Sequence, residues 1–446
     1  MTNPIPIQTH DLPAAAHDRA VILSVGDELA IGQSLDTNTK WLSERLTDLG
    51  IRIVEHRTLP DDLEALTEGL GALCEAVPLV VVTGGLGPTA DDLTRDALGA
   101  VLGEPLVEDE LGVRWLEAIA KRLGRTLNEN NRRQALRPAS GRLIENDRGT
   151  APGLAATVRP KDGRASDVYC LPGPPFEMRA MWERLVEPEV RPPANRAVVT
   201  KLLHLYGMGE SDVAGRLGAL MDRDRNPLIG TTASSGVITI RVRGEGDGAA
   251  MRHAVDVDAA SVRKMFGDLI FAEDGAGLAE RAVELLSSRG EMVAVMESCT
   301  GGMLGAMVTA VPGSSGAVAG GAITYSNAMK TAAAGVPMEL IERHGAVSEA
   351  VAEALAVGGL ERTPGASHAL SITGIAGPGG GSEEKPVGTV CIALASGESG
   401  YAVDVRRFRF PGDRERVRER ACLSALGMLV FRLRGVGLAR TIWQRD

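Results

Sequence analysis

The chain has 446 residues, 44 % of them apolar and only 3 % aromatic, with 54 glycines and a formal net charge of −10. That length allows two to four domains, whose cores Ala, Val and Leu must fill. The acidic balance, with a pI near 5.4, argues against a general nucleic-acid binder, and no apolar run reaches the 18 or so residues of a membrane span.

The N-terminal stretch, residues 1–18, lacks the basic start and apolar centre of a signal peptide and is expected to be a disordered tail. The five cysteines (Cys74, Cys170, Cys299, Cys391, Cys422) are scattered, odd in number and mostly set in apolar runs. That suits reduced thiols and a cytoplasmic location.

Residues 19–190 alternate strand and helix. AVILSVG, residues 20–26, is a continuous apolar run and reads as a buried parallel strand. GDELAIGQSLDTN reads as a loop. Asp36 to Leu49 carries Trp41, Leu42, Leu46 and Leu49 at helical spacing, with Gly50 as the stop. IRIVEHRTL is a second strand, a helix runs from Asp61–Asp62 to about Ala76, and LVVVTGG is the third strand. The pattern predicts a doubly wound α/β domain, whose ligands bind beyond the carboxyl ends of the strands.

Two such ends are polar. One is Gly26-Asp27-Glu28; the other is Thr83 to Asp92, TGGLGPTADD. Gly84, Gly85 and Gly87 let the backbone approach a ligand and expose N–H groups to phosphate. Asp27, Glu28, Asp91 and Asp92 offer oxygen ligands for a divalent metal ion. The alternative is that Asp91 and Asp92 only cap the helix beginning near Leu93. Further on come the polar cluster NENNRRQ, with Asn131 and Arg132, then the turn-rich segments GTAPGL and LPGPPFEM.

GDEL, DTN, TGGLGPTADD, ENNRRQA, GTAPG and LPGPPFEM, in this order, resemble the N-terminal domain of the CinA family, which shares the molybdopterin-binding fold of the MoaB and MoeA families. The resemblance implies a metal-dependent ADP-ribose pyrophosphatase. It carries over Asp27, Glu28, Asn38, Gly84, Gly85, Gly87, Asp91, Asp92, Asn131 and Arg132 as site residues. Related molybdopterin families use a similar loop for a pterin phosphate, so the substrate stays open.

A Pro-rich linker, EPEVRPPANR, leads to residues 196–274. Strand, helix, strand, helix and a short final strand predict a small α+β domain. Its order resembles the KH-type middle domain of the same family. Gly207-Met208-Gly209-Glu210 is the nearest approach to the GxxG loop that clamps nucleic acid, and it follows a strand. A spacer or dimerisation element is expected here, hence a homodimer, with no nucleic-acid partner.

Residues 275–446 form the last domain. LAERAVELLSSRG is an amphipathic helix. MVAVMESCTGG reads as a buried strand, a tight turn and the start of a helix. Ser298 then sits at the mouth of a sheet, near N–H groups suited to negative charge. A second strand, Val318 to Tyr325, leads to Lys330, a candidate base if burial lowers its pKa. The alternative is a helix-capping serine and a solvated lysine. HALSITGIAGP is another strand. It brings Thr373, Gly374 and Gly377 to the same side if the strands are parallel. GGGSEEKPVG is a loop able to close over substrate. Arg414 and Arg416 open the closing helix as phosphate ligands or as a solvated charged face.

ESCTGG, VPGSSGAVAGGAITYSNAMK, HGAVSE, SITGIAGPGGGSEEKPVGTV and FPGDRERVR resemble the CinA C-terminal domain, which is similar to stand-alone nicotinamide mononucleotide (NMN) deamidases. The resemblance implies hydrolysis of NMN to nicotinate mononucleotide and ammonia, with no cofactor. It implies Ser298 as nucleophile, Lys330 as base and Tyr325 beside them. Thr300, Gly301, Gly302, Ser326, Asn327, Thr373, Gly374, Gly377 and Arg414 are expected to line the substrate. A different expectation, an accessory protein of competence or DNA repair, also follows from the family name.

Overall fold

A computed structural model of the chain describes residues 16–437 and 441–445, except 123, 125, 127, 161–164, 195 and 398–400. The chain divides into two compact units, the first running through Val199 with Glu245–Met251, the second comprising Thr200–Gly244 and Arg252 onward.

The first unit is built on a six-stranded sheet in the order Arg52–Leu59, Arg19–Val25, Leu79–Thr83, Ser166–Leu171, Gly153–Val158, Arg142–Ile144. The first four strands are parallel and the last two antiparallel. The two central strands need no polar alternation because both faces are covered, and Ala20–Leu23 and Leu79–Val82 are all buried. One face packs Leu66, Leu70 and Leu73 of the helix Leu63–Ala76. The other packs Leu42 and Leu46 of Thr37–Asp48, with Met178 and Trp182. Asp36 and Asp62 cap these two helices by accepting from the N–H groups of Thr39 and Ala65.

Two expectations need correcting here. GDELAIGQSLDTN is not all loop, since Asp27–Ala30 forms a helical turn. Asp27 and Asp61 hold it by exchanging backbone-to-carboxylate bonds. The tail expected over residues 1–18 does not extend that far. His17 is fully buried, its Nε2 3.0 Å from Asp167 Oδ2. Residues 1–15 lie outside the described residues.

The second unit contains two sheets. The smaller has the order Leu228–Ser234, Val237–Gly246, Ala197–Tyr206, Ile270–Ala272. Its first strand is absent from the sequence expectation, because TTAS is polar. A two-residue hairpin creates it: Ser235 and Gly236 both have positive φ, 48° and 93°, as a type I′ turn requires. The larger sheet runs Val318–Ile323, Val293–Glu297, His368–Gly374, Thr389–Ser396, Ala402–Arg409, Gln444–Arg445. Its first three strands are parallel and the rest antiparallel. Tyr206 and Phe271 of the smaller sheet share one core with Leu426 and Phe431 of the helix Arg414–Leu433. Tyr206 also donates to Ser424 Oγ at 2.8 Å. The middle segment is therefore packed onto the last domain rather than set apart as a spacer. Because the three parallel strands end on one side, Ser298, Thr324 and the loop after Gly374 meet there.

Candidate active sites

In the second unit, the strand Val293–Glu297 is wholly buried and delivers Ser298 at its carboxyl end. The Ser298 N–H donates to Ile372 O at 2.9 Å, which extends the strand pairing by one residue. The neighbouring strand ends at Ile323, and the helix Asn327–Ala334 begins after Ser326, whose hydroxyl accepts from Met329 N–H. Lys330, on the first turn of that helix, points back under the strand end. Its Nζ lies 3.1 Å from Ser298 Oγ, 2.9 Å from Thr324 O and 3.3 Å from Tyr325 O.

Lys330 is 1 % exposed and Ser298 8 % exposed. Neither alternative raised from sequence holds: the serine caps no helix and the lysine is not solvated. Burial lowers the Lys330 pKa, because an ammonium loses its hydration there. Lys330 Nζ donates in all three contacts; a neutral amine would keep those to Thr324 O and Tyr325 O and turn its lone pair to the Ser298 hydroxyl.

In the turn after Ser298, expected to line the substrate, two of the N–H groups are already used. Gly301 N–H donates to Ser298 O at 3.1 Å, and Gly302 N–H to Glu297 Oε2 at 3.0 Å. No backbone acceptor is bonded to the N–H groups of Cys299 and Thr300 among the described residues, and the Cys299 N–H meets only its own thiol. Glu297, which sequence reasoning passed over, is 1 % exposed and also accepts from Leu304 and Gly305. Its position ahead of a helix start was the available signal. Arg418 is a second omission; it donates to Thr300 O at 2.7 Å. Cys299 is buried and its thiol is pushed up to about 12, so it is not a competing nucleophile.

Tyr325 is not placed as expected. Its side chain is 60 % exposed, and its phenol oxygen accepts from Arg414 Nη2 at 3.2 Å. Only its carbonyl reaches Lys330. Arg414 also donates to Gly377 O at 2.9 Å, so it links the two loops that border the dyad. Arg416 instead pairs with Glu419, as a solvated face would. The Thr373 hydroxyl is spent on Ala346 O, and Gly374 ends its strand in register with Val390. Asn327 opens the Lys330 helix.

In the first unit, a cavity of about 520 Å³ lies over the strand ends. Glu28, Asn38, Gly84, Gly85, Gly87, Asp91 and Asp92 all line it, joined by Asp36, Asp61, Gln134 and Glu177. Asp27 does not line it, and neither do Asn131 and Arg132. Arg132 pairs with Glu108 instead, and the Asn131 N–H is used by Asn128. Asp92 is not a helix cap: its carboxylate accepts from Gly87 N–H at 2.7 Å and from Thr89 N–H at 2.8 Å, folding the glycine loop on itself. Gly84 and Gly85 have φ of 100° and 64°, and a Cβ on Gly84 would lie 2.2 Å from Val25 O.

The cavity lining holds six carboxylates and no lysine or arginine. Asp61, absent from the sequence expectation, is raised in pKa by burial and by Asp27, Glu28 and Asp91. No group of three or more His, Cys, Asp or Glu among the described residues is gathered closely enough to hold a metal ion by itself. The expected set of Asp27, Glu28, Asp91 and Asp92 is thus not a preformed cage.

Residues 275–433 match the CinA C-terminal domain, residues 21–192 the family described as "Probable molybdopterin binding domain", and residues 200–272 the damage-inducible protein CinA KH domain. A CinA-like protein of Anaeromyxobacter sp. is 43 % identical over 415 residues, which is 93 % of this chain and 98 % of that protein. The chain belongs to the CinA family. A CinA-like protein of Geobacter sp. is 43 % identical over 414 residues, 92 % of this chain and 96 % of its own length. Among solved structures, the competence/damage inducible protein CihA from Agrobacterium tumefaciens is 39 % identical, covering 35 % of this chain and 93 % of that one, with a TM-score of 0.34. In this CinA-family chain, the two candidate sites lie at strand ends of the two larger sheets. No helix of the described residues is long and apolar enough to cross a membrane.

Proposed function

We propose that the C-terminal domain hydrolyses the carboxamide of NMN to nicotinate mononucleotide and ammonia. The observation that carries this is the buried contact between Lys330 Nζ and Ser298 Oγ, 3.1 Å apart. Lys330 takes the hydroxyl proton as Ser298 Oγ bonds to the amide carbon. The N–H groups of Cys299 and Thr300 are the donors left for the oxyanion. The Lys330 ammonium then gives its proton to the departing nitrogen, and ammonia leaves an acyl-serine. Water attacks the ester, Lys330 takes a proton from it, and the proton returns to Ser298 Oγ as the acid departs. Arg414 is the candidate for the substrate phosphate, after exchanging its present partners. The test is ammonia release from NMN by a Ser298→Ala variant that melts like the wild type; retained turnover would remove the mechanism.

For the N-terminal domain we propose metal-dependent hydrolysis of the ADP-ribose diphosphate. One or two of Glu28, Asp61 and Asp91 would hold the cation, with phosphate and water as its other ligands, and the cation would neutralise phosphoryl oxygens. The acidic lining supports this, because a diphosphate enters such a cavity more readily when it carries its own cation. The match of residues 21–192 favours a second reading, molybdopterin handling. Calorimetric titration with ADP-ribose against a pterin phosphate, each with and without a divalent ion, separates the two. A purely accessory role in competence or DNA repair predicts turnover of neither nucleotide.

A further inference from the structure

We propose that Glu297 and Thr324 act together as positioning residues that set the distance between the nucleophile and its base. This rests on the amidohydrolase reading of the Ser298 site. Neither residue is placed to touch substrate, and both are buried, at 1 % and 0 % exposure.

Glu297 is held at both ends. Its carboxylate gathers three N–H groups from the end of the turn after Ser298 and the start of the helix Met303–Thr309: Gly302 at 3.0 Å, Leu304 at 3.0 Å and Gly305 at 2.8 Å. Such charge-assisted bonds are the stronger kind, and they fix the turn against the strand that precedes it. The Glu297 carbonyl faces the neighbouring strand. It accepts from Thr324 N–H at 2.6 Å and from the Thr324 hydroxyl at 3.2 Å. Thr324 in turn offers its own carbonyl to Lys330 Nζ at 2.9 Å.

A continuous path therefore runs from the turn through Glu297 and Thr324 to the lysine amine. Ser298 is covalently joined to one end of that path and hydrogen-bonded to the other. The parallel register, with Glu297 opposite Ile323, places Thr324 beside the residue that precedes the nucleophile. Loosening either link lets the serine and the amine drift apart. A misplacement near 1 Å costs on the order of 100-fold in rate.

The experiment compares Thr324→Val, which keeps shape and loses the hydroxyl, with Thr324→Ser, which keeps the hydroxyl, and with Glu297→Gln. Two quantities are read: kcat and KM for ammonia release from NMN, and the rate of Ser298 sulfonylation by phenylmethylsulfonyl fluoride, followed by intact mass. Thr324→Val is expected to lower kcat and sulfonylation alike, about 10-fold, with KM within about twofold. Thr324→Ser restores both, and Glu297→Gln lowers both by roughly 100-fold. The proposal is overturned if Thr324→Val matches the wild type, if Thr324→Ser falls as far, or if the wild-type serine is not sulfonylated. Should Glu297→Gln not fold, the Thr324 pair alone decides. If the wild type leaves NMN intact yet Thr324→Val still loses sulfonylation, the substrate reading fails and the positioning role stands.

Discussion

Lys330 Nζ sits 3.1 Å from Ser298 Oγ with both side chains withdrawn from solvent, and no carboxylate pairs with the amine among the described residues. A lysine so placed is disfavoured as an ammonium and available as a base. Its chemistry and its effect on stability therefore point in opposite directions.

Replacing Lys330 by Met should abolish ammonia release and yet raise stability at neutral pH. The sign follows from the lowered pKa. Between the folded value and the ordinary lysine value the unfolded chain binds more protons, so folding stability rises with pH across that window. The lysine penalises folding most below the window and not at all above it. Thermal melts of wild type and Lys330→Met should differ at pH 7 and converge as pH approaches 10.5. A variant less stable at pH 7 would contradict this.

The same direction governs the rate. kcat/KM for NMN should rise with pH through the deprotonation of Lys330, with a midpoint below that of ordinary lysine. A pH–rate profile from 5 to 10 checks this. A flat profile across that range would mean that another group takes the proton.

Tyr325→Phe should change kcat by less than about threefold, since the phenol meets only Arg414 and the contact with Lys330 is made by the backbone. KM is the parameter expected to move, through Arg414 and the loop it holds at Gly377. Steady-state kinetics of the variant decide whether the hydroxyl takes part in proton transfer.

In the N-terminal domain, Asp61→Asn should weaken the metal-dependent binding of ADP-ribose by about 10-fold, because it removes one of the cavity carboxylates available to a cation. Calorimetry with and without the divalent ion is the measurement. Equal affinity with and without metal in the wild type would remove the cation from the binding step.

Asp167 anchors residues 16–18. Burial pushes its carboxyl up, but bonds from His17, Thr157 and Arg191 outweigh that and hold it well below the usual range. A depressed acid contributes stability that is present above its unfolded pKa and lost as pH falls through the folded one. Asp167→Asn should therefore cost about 2 kcal/mol at pH 7, with the gap closing below about pH 4. Denaturant melts at both pH values test it.

How much was legible in the sequence differs between the two sites. The strand Val293–Glu297 and the turn after it stand out because an apolar run meets Ser, Thr and two glycines. The glycine loop from Gly84 is equally plain. Arg132 was misplaced because its charge suits a ligand as well as it suits Glu108, and only geometry distinguishes them. Strand order likewise brings Tyr325 near Lys330, which its carbonyl reaches, but does not say which way the ring turns.

The amino-acid order by itself determined the buried strands, the domain order and the residues available for chemistry, because apolar periodicity and turn residues act over short distances. Whether Lys330 was solvated or buried, which N–H groups stayed free, and which carboxylates faced the cavity were decided only in three dimensions. Those properties depend on desolvation and on hydrogen-bond partners such as Thr324 and Glu297, which come from segments far apart along the chain.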